Sequence, residues 1–296
     1  MESPIFSILP FFISGLIVGS VYGLSVLGLS LIFGVLRVAN IAHGAFIMLG
    51  AYVAYFAFTL WGLVPFVSAA VAMLLGFALG YLVYITVVKP LGLRNELNIL
   101  VALFALFLLL SEAARLLWGP DFVGYRWSVG SFSVAGLVVE YTKLAGAVAA
   151  LAIALALDLA LRRTYMGKAI RAVVQEPVGA QVVGINVDRV YAIAAALGIA
   201  ITTLGGVFLT LFIPVGINPY MGGPYTLIGF VIAVLGGLGS IMGAYIAGLI
   251  FGLIESVGFY AFSALGAAEP SQMAIFLAFL ALLLILLFKP TGLLRI

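Results

Sequence analysis

The chain contains no cysteine, a single histidine and few charges: 13 Lys and Arg against 10 Asp and Glu make up 8% of 296 residues, where a soluble domain is about a quarter charged. Without cysteine there is no disulfide framework and no cysteine-based zinc or iron–sulfur site, and one histidine cannot complete a metal centre alone. No cofactor or metal is therefore expected. The net charge of +3 gathers in short stretches, which reads as an orientation signal rather than a nucleic-acid footprint. The first residues, Met1-Glu2-Ser3-Pro4, lack the basic start of a cleavable signal, so the first apolar run is expected to stay as a membrane helix.

What is abundant is apolar: 66% of residues are hydrophobic and the mean hydropathy is +1.34. A hydrocarbon core of about 30 Å takes about 20 apolar residues per helix. Runs of that kind stand near 10–36, 43–61, 64–88, 99–118, 142–162, 189–212, 224–238, 241–262 and 271–288. The expected fold class is all-α, a polytopic membrane helix bundle of about 8–10 transmembrane segments with broken or re-entrant helices. One domain, residues 1–296, is expected. The run at 224–238 is short and ends in Gly236-Gly237-Leu238-Gly239-Ser240, the pattern of a half helix or re-entrant segment, and Asn40 interrupts the first two runs. Lys89 and Arg94, then Arg162, Arg163, Lys168, Arg171 and Arg189, then Lys289 and Arg295 fall on one side of nine crossings. The positive-inside rule makes that side cytoplasmic, with 162–189 a cytoplasmic loop and 119–141 an extracytoplasmic one in a plasma-membrane protein.

Polar residues in such a background need reasons. "RVANIAHGAFIMLGAYVAY" sets Asn40, His43 and Gly44 at the mouth of an apolar run. A lone histidine at a helix start is more often a packed residue bonding a carbonyl. Asn40 adds a donor and an acceptor, and Gly44 lets a helix end approach a ligand or second helix closely. A broken helix whose N-terminus points inward can hold a carboxylate, so the cluster is read as lining a path through the membrane. Asn218-Pro219-Tyr220 follows a helix expected to end near Pro214; it is an ordinary Asn-Pro turn or a cap on the path. Glu255 lies inside a run and must face the bundle interior. Glu112 with Arg115, and Asp158 with Arg162, are spaced as structural pairs. The glycines Gly236, Gly237 and Gly239 lack the lysine of a phosphate-binding loop, so they are read as a gate and not a nucleotide site.

The stretch 162–189, "RRTYMGKAIRAVVQEPVGAQVVGINVDR", is the least membrane-like. Lys168 and Arg171 share one helix face, with Ile170, Val173 and Val174 on another. Glu176 and Pro177 read as a helix start, Gly184 as its stop, and Gly179 and Ala180 as its exposed surface. Asp188 is expected to cap the next span. Such a short, weakly charged helix looks built for cover by another protein. An internal echo, Ile47–Ala54 against Ile241–Ala247, is either a duplicated half or the small-residue packing common to membrane helices.

"MGKAIRAVVQEPVGAQVVGINVDRV" resembles the cytoplasmic loop of the permease subunits of branched-chain amino-acid ABC importers. "ANIAHGAFIMLGAYVA", "GINPYMG", "LGGLGSIMGAYIAGLIFGLIES" and "KPTGLL" agree in order, so the resemblance runs from about Tyr22 to Leu294, and the chain is similar to the first of the two permeases such systems pair. It implies a subunit that is no enzyme itself but forms a path for branched-chain amino acids, driven by a separate ATPase. Lys168, Arg171, Glu176, Pro177, Ala180, Val183 and Gly184 would then couple to that ATPase. Implied partners are a second related permease, two ATP-binding subunits, an extracytoplasmic solute-binding protein and the lipid membrane, with no nucleic acid. The loop 119–141 and "MGGPYTLIGF" carry no substrate signature, which leaves urea, short amides and small carboxylates open. Two further classes compete on the residues alone: an intramembrane enzyme, against which the dispersed acids and single histidine speak, and an ion-coupled carrier using His43 and Glu255.

Overall fold

The structure, a computed structural model, describes residues 4–93, 95–134, 137–213, 215–289 and 292–294. Arg94, Pro214 and Arg295, used above, lie outside them. In chain order come α1 (Pro4–Leu36), α2 (His43–Trp61), α3 (Pro65–Val83), a π-helical turn (Tyr84–Val88), one further turn α4 (Lys89–Leu91), α5 (Glu96–Trp118), β1 (Ser131–Val134), β2 (Leu137–Glu140), α6 (Tyr141–Arg163), α7 (Tyr165–Gln175), α8 (Pro177–Val182), α9 (Val187–Leu209), α10 (Gly222–Gly236), α11 (Ile241–Ala264) and α12 (Pro270–Phe288). Among the described residues eight helical stretches are long and apolar enough to cross a membrane, and α10 is a shorter apolar helix. At 15 residues, α10 reaches about 22 Å and falls short of a full crossing. The all-α bundle with an incomplete segment is thus what the hydropathy pattern predicted, and the chain is a multi-pass membrane protein.

α1 and α9 form the centre, with 83% and 89% of their apolar windows buried, whereas α12 has 11% and α5 and α6 have 22%. Water cannot drive helices together inside lipid, so close packing must do it, and small residues permit that. Along α1, Gly15, Gly19 and Gly23 meet the backbone of Gly252, Gly248 and Tyr245 on α11, antiparallel, at separations where any Cβ would clash. Gly76 and Gly80 of α3 meet Ala200 and Ala196 of α9 in the same manner. The outer helices present Leu, Phe and Val outward, as lipid contact requires.

The two ends of the bundle differ. At one, β1 and β2 form an antiparallel hairpin with Ser131 opposite Glu140, and Val123 pairs with Ile217 in an isolated bridge that ties the segment after α5 to the segment after α9. Reading 119–141 as a loop missed this hairpin. The opposite, basic end carries α7, α8, Lys89 and the turn 237–240. There the structure corrects two expectations. Asp188 does not cap α9: the Asn186 side chain accepts from the Arg189 N–H at 2.9 Å, and Asp188, in the first turn, pairs with Lys89 at 2.9 Å. Ala180 is 4% exposed rather than a surface residue, because α8 lies against α7 and α9 with that face inward.

Candidate functional site

α1 does not run on into α2. Arg37, at φ 56°, is a left-handed residue whose N–H still bonds Phe33 O at 2.9 Å, which closes the helix. Residues 37–42 are then non-helical, with Val38, Asn40 and Ala42 buried. A methyl group on Gly229 of α10 would meet both the His43 ring and Leu29 of α1. Leu29 stands seven residues, about 10 Å, back from the end of α1, so the chain folds back into the bundle before α2 begins. Non-helical backbone at membrane depth persists only where protein or a cavity covers it, and here Val38, Asn40 and Ala42 are buried and Thr202 of α9 and Gly229 of α10 stand against His43 where the break ends.

At this break His43 is 0% exposed and Asn40 2%. The His43 N–H bonds Asn40 O at 3.1 Å, and the Gly44 N–H donates to Thr226 Oγ1 at 2.9 Å. Thr202 Oγ1 lies 3.4 Å from His43 Nδ1. Asn40 Oδ1 and His43 Nε2 are buried without a hydrogen-bond partner among the described residues, although such atoms are nearly always satisfied. Gly44 is in backbone contact with Gly222 at the start of α10. The three residues expected to cluster do so, joined by Thr202 and Thr226, which sequence reasoning missed; the Thr202-Thr203 pair amid an apolar run was the available signal for the first, and the lone Thr226 gave none.

The other expected residues do not converge on this point. Glu255 sits on α11, and Tyr22 of α1 donates to its Oε1 at 3.4 Å across 233 residues of sequence, while Oε2 is buried and unpartnered among the described residues. Asn218 Oδ1 accepts from the Tyr220 N–H at 2.8 Å, an Asx turn at the hairpin end around buried Pro219, and the Tyr220 hydroxyl reaches Glu112 at 3.4 Å. Glu112 pairs with Arg115 at 2.6 Å, and Asp158 with Arg162 at 2.8 Å. Gly237 and Gly239 have φ 94° and 90°, Gly236 and Gly239 touch the backbone of Gly243 and Gly34, and Ser240 caps α11 through the Gly243 N–H at 3.1 Å. These glycines make a tight turn held on α1.

At the basic end, Thr164 caps α7 and Glu176 caps α8, accepting from the Val178 N–H at 3.3 Å. Gly184, at φ 86°, follows α8. Pro177 and Lys168 are exposed; Arg171 instead turns its guanidinium onto the last carbonyls of α6, Leu161 O and Arg162 O, where the helix dipole favours a cation. Val178, Val182 and Val183 are 67%, 83% and 74% exposed.

With the geometry described, comparison with known proteins narrows its meaning. Residues 11–288 match the family described as "Branched-chain amino acid transport system / permease component". The chain is 33% identical over 301 residues to the high-affinity branched-chain amino acid transport system permease protein LivH of Escherichia coli (strain K12), covering 95% of this chain and 93% of that one. It is 31% identical over 296 residues to the permease protein BraD of the corresponding system in Pseudomonas aeruginosa, covering 95% and 94%. Similarity extends to a probable branched-chain amino acid transport permease protein LivH of Methanocaldococcus jannaschii, 30% identical over 250 residues, 81% of this chain and 78% of that one. A match spanning nearly every helix, with the intramembrane break and the capped helices of the basic end inside it, places the chain in the branched-chain amino acid transport permease family.

Proposed function

We propose that the chain is the transmembrane subunit of an ATP-binding-cassette importer and provides part of the path for branched-chain amino acids. The observation that carries this reading is α8: six residues capped at both ends, held by buried Ala180, with three valines facing solvent at the basic end. Exposed valines on a braced helix suit a protein partner better than water. In this reading the basic end is cytoplasmic, α7 and α8 dock on an ATP-binding subunit, and the hairpin end faces a solute-binding protein outside. A second permease and a second ATP-binding subunit complete the assembly. Nucleotide-driven closure would then bias the bundle between two arrangements, with the turn at Gly236, Gly237 and Gly239 as hinge and Asn40, His43 and Gly44 on the path. Asn218, Pro219 and Tyr220 border its outer mouth. The solute is assigned by analogy with the names of the relatives; urea, short amides and small carboxylates are the alternatives within the family.

The test is ATP-driven leucine uptake and ATPase retention by the reconstituted complex, wild type against a Val178→Asp and Val182→Asp double variant. Both side chains are exposed, so folding is preserved, whereas Ala180 is unsuitable because it is buried. Loss of the ATPase and of uptake at unchanged melting temperature supports the reading. Intact retention and uptake refute the docking role of α8. One observation favours a second reading, an ion-coupled carrier: no cation pairs with Glu255 among the described residues. Uptake that needs an ion gradient and not ATP would establish it.

A further inference from the structure

At the hairpin end the described residues line a half-open cavity of about 440 Å³, separate from the break at Asn40 and inside the size range of small-ligand sites, about 300–1,000 Å³. Its walls are mainly aliphatic and aromatic, with Ile17 of α1, Leu209 at the end of α9, Phe212 just after it and Phe259 of α11, and Ser14, Ser256 and Ser271 as their polar members. Glu255 lines it together with Tyr22 and Tyr225. At its edge Lys143 and Glu140 neutralise each other at 3.1 Å. Glu255 is therefore the one carboxylate of this cavity without a cation among the described residues, and its only hydrogen bond there is the long one from Tyr22.

A carboxylate in an apolar cavity is costly unless a counter-ion or donors reach it. Three kinds of cation could. A divalent ion needs several oxygen ligands, and no group of three or more potential metal ligands occurs among the described residues. A guanidinium calls for a planar fork of acceptors. An ammonium is compact and donates three hydrogen bonds, for which Glu255, the Tyr22 hydroxyl 3.4 Å from it and Tyr225 on the same wall supply acceptors. We propose that this cavity binds the ammonium end of a small aliphatic amine or amino acid, with Glu255 as counter-ion and the hydrocarbon tail against Ile17, Leu209, Phe212 and Phe259. That its natural ligand is the imported amino acid rests on the importer reading; the ammonium chemistry does not.

The absence of cysteine makes a direct test available. Ser14, exposed on α1, and Ser271, exposed at the start of α12, both line the cavity. In the intact complex in nanodiscs, Ser14→Cys and, separately, Ser271→Cys are labelled with a water-soluble maleimide alone and with leucine, isopentylamine or 4-methylpentanoate. Leucine and isopentylamine should slow labelling and 4-methylpentanoate should not, and Glu255→Gln should weaken protection by the amine roughly tenfold or more, the scale of a hydrogen bond to a charged group. Should Glu255→Gln fail to assemble, Glu255→Asp, which keeps the charge but moves it, should retain amine selectivity at lower affinity. Protection by the acid equal to that by the amine, protection unchanged in Glu255→Gln, or no protection at either cysteine overturns the proposal. ATP-driven leucine uptake is measured on the same complex. Uptake without protection refutes the cavity and leaves the importer standing, and amine protection without uptake does the reverse.

Discussion

Asn40 carries a buried carbonyl oxygen with no partner among the described residues, and a fold selected only for stability would not keep it. Replacing an already unsatisfied group with an apolar one of similar size should be neutral or stabilising within about 1 kcal/mol. Asn40→Leu is therefore expected to leave the melting temperature of the detergent-solubilised protein unchanged or raised while transport falls; a large loss of stability would show that the amide is structural. Gly44 behaves oppositely. A methyl group there would press on Thr226 Oγ1 and on the Gly222 carbonyl, and the carbonyl, as helix backbone, cannot swing away, so Gly44→Ala should destabilise by about 1–3 kcal/mol, the usual scale of overpacking. The melting curve checks this too, and an unchanged midpoint would mean that α2 and α10 are free to separate. Two residues four apart in the sequence are thus expected to respond differently, Asn40→Leu in transport and Gly44→Ala in stability.

Among elements, the segment after α5 and the helices of the basic end respond to different variables. Tyr125 is buried and shares a hydrogen bond of 2.6 Å with Thr210, which follows α9. Burial pushes its phenol up from 10.0 to about 12, with the Thr210 bond acting in the opposite direction. The protonated phenol is thus favoured in the folded state, and its contribution is fully present below pH 10.0 and lost as pH rises toward 12. Protection factors in residues 119–130, with the base-catalysed intrinsic exchange rate divided out, should be flat below that window and fall through it, and Tyr125→Phe should flatten the fall. At the other end, Glu176→Ala removes the cap of α8 at a local cost of about 1 kcal/mol. Exchange should rise in 177–183 alone, whereas a change spreading into α9 would show that α8 is not an independent unit. Lys89 and Asp188, 52% and 60% exposed, form a pair whose removal should shift stability by less than about 1 kcal/mol.

For the whole molecule, closure of the bundle depends on its last residues. The Leu293 and Leu294 N–H groups donate to Leu235 O and Gly236 O at 2.8 and 3.2 Å, and Lys289 Nζ reaches Leu293 O at 2.8 Å. The end of the chain thus satisfies carbonyls at the C-terminus of the short helix α10, which would otherwise stand open beside the glycine turn. Deleting residues 290–296 should speed exchange at 235–241 and lower the melting temperature, with the hairpin end unaffected. Equal protection in the deleted chain would show that α10 needs no such closure.

Much of the bundle was legible because each span is a local, one-dimensional property: about 20 apolar residues in a row need no partner to be recognised. The start of α2 at His43, the short α10, and the Glu176-Pro177 start and Gly184 stop of α8 were readable in the same way, since caps and breakers act within a turn. Pairs within one helix, Glu112 with Arg115 and Asp158 with Arg162, followed from helical spacing. The length and hydropathy of a span did not show which helices are central, because α9 and α12 both pass as full crossings and only packing buries one and leaves the other at the rim. Nor could the sequence bring Tyr22 to Glu255 or Thr202 and Thr226 to His43 and Gly44, contacts made across helices far apart in the chain. Burial of Ala180 and exposure of Val182 were likewise settled by the neighbours of α8. Local hydropathy and capping determined the elements, and tertiary packing decided which polar atoms meet and which face a cavity, because those distances depend on how helices cross and not on their order.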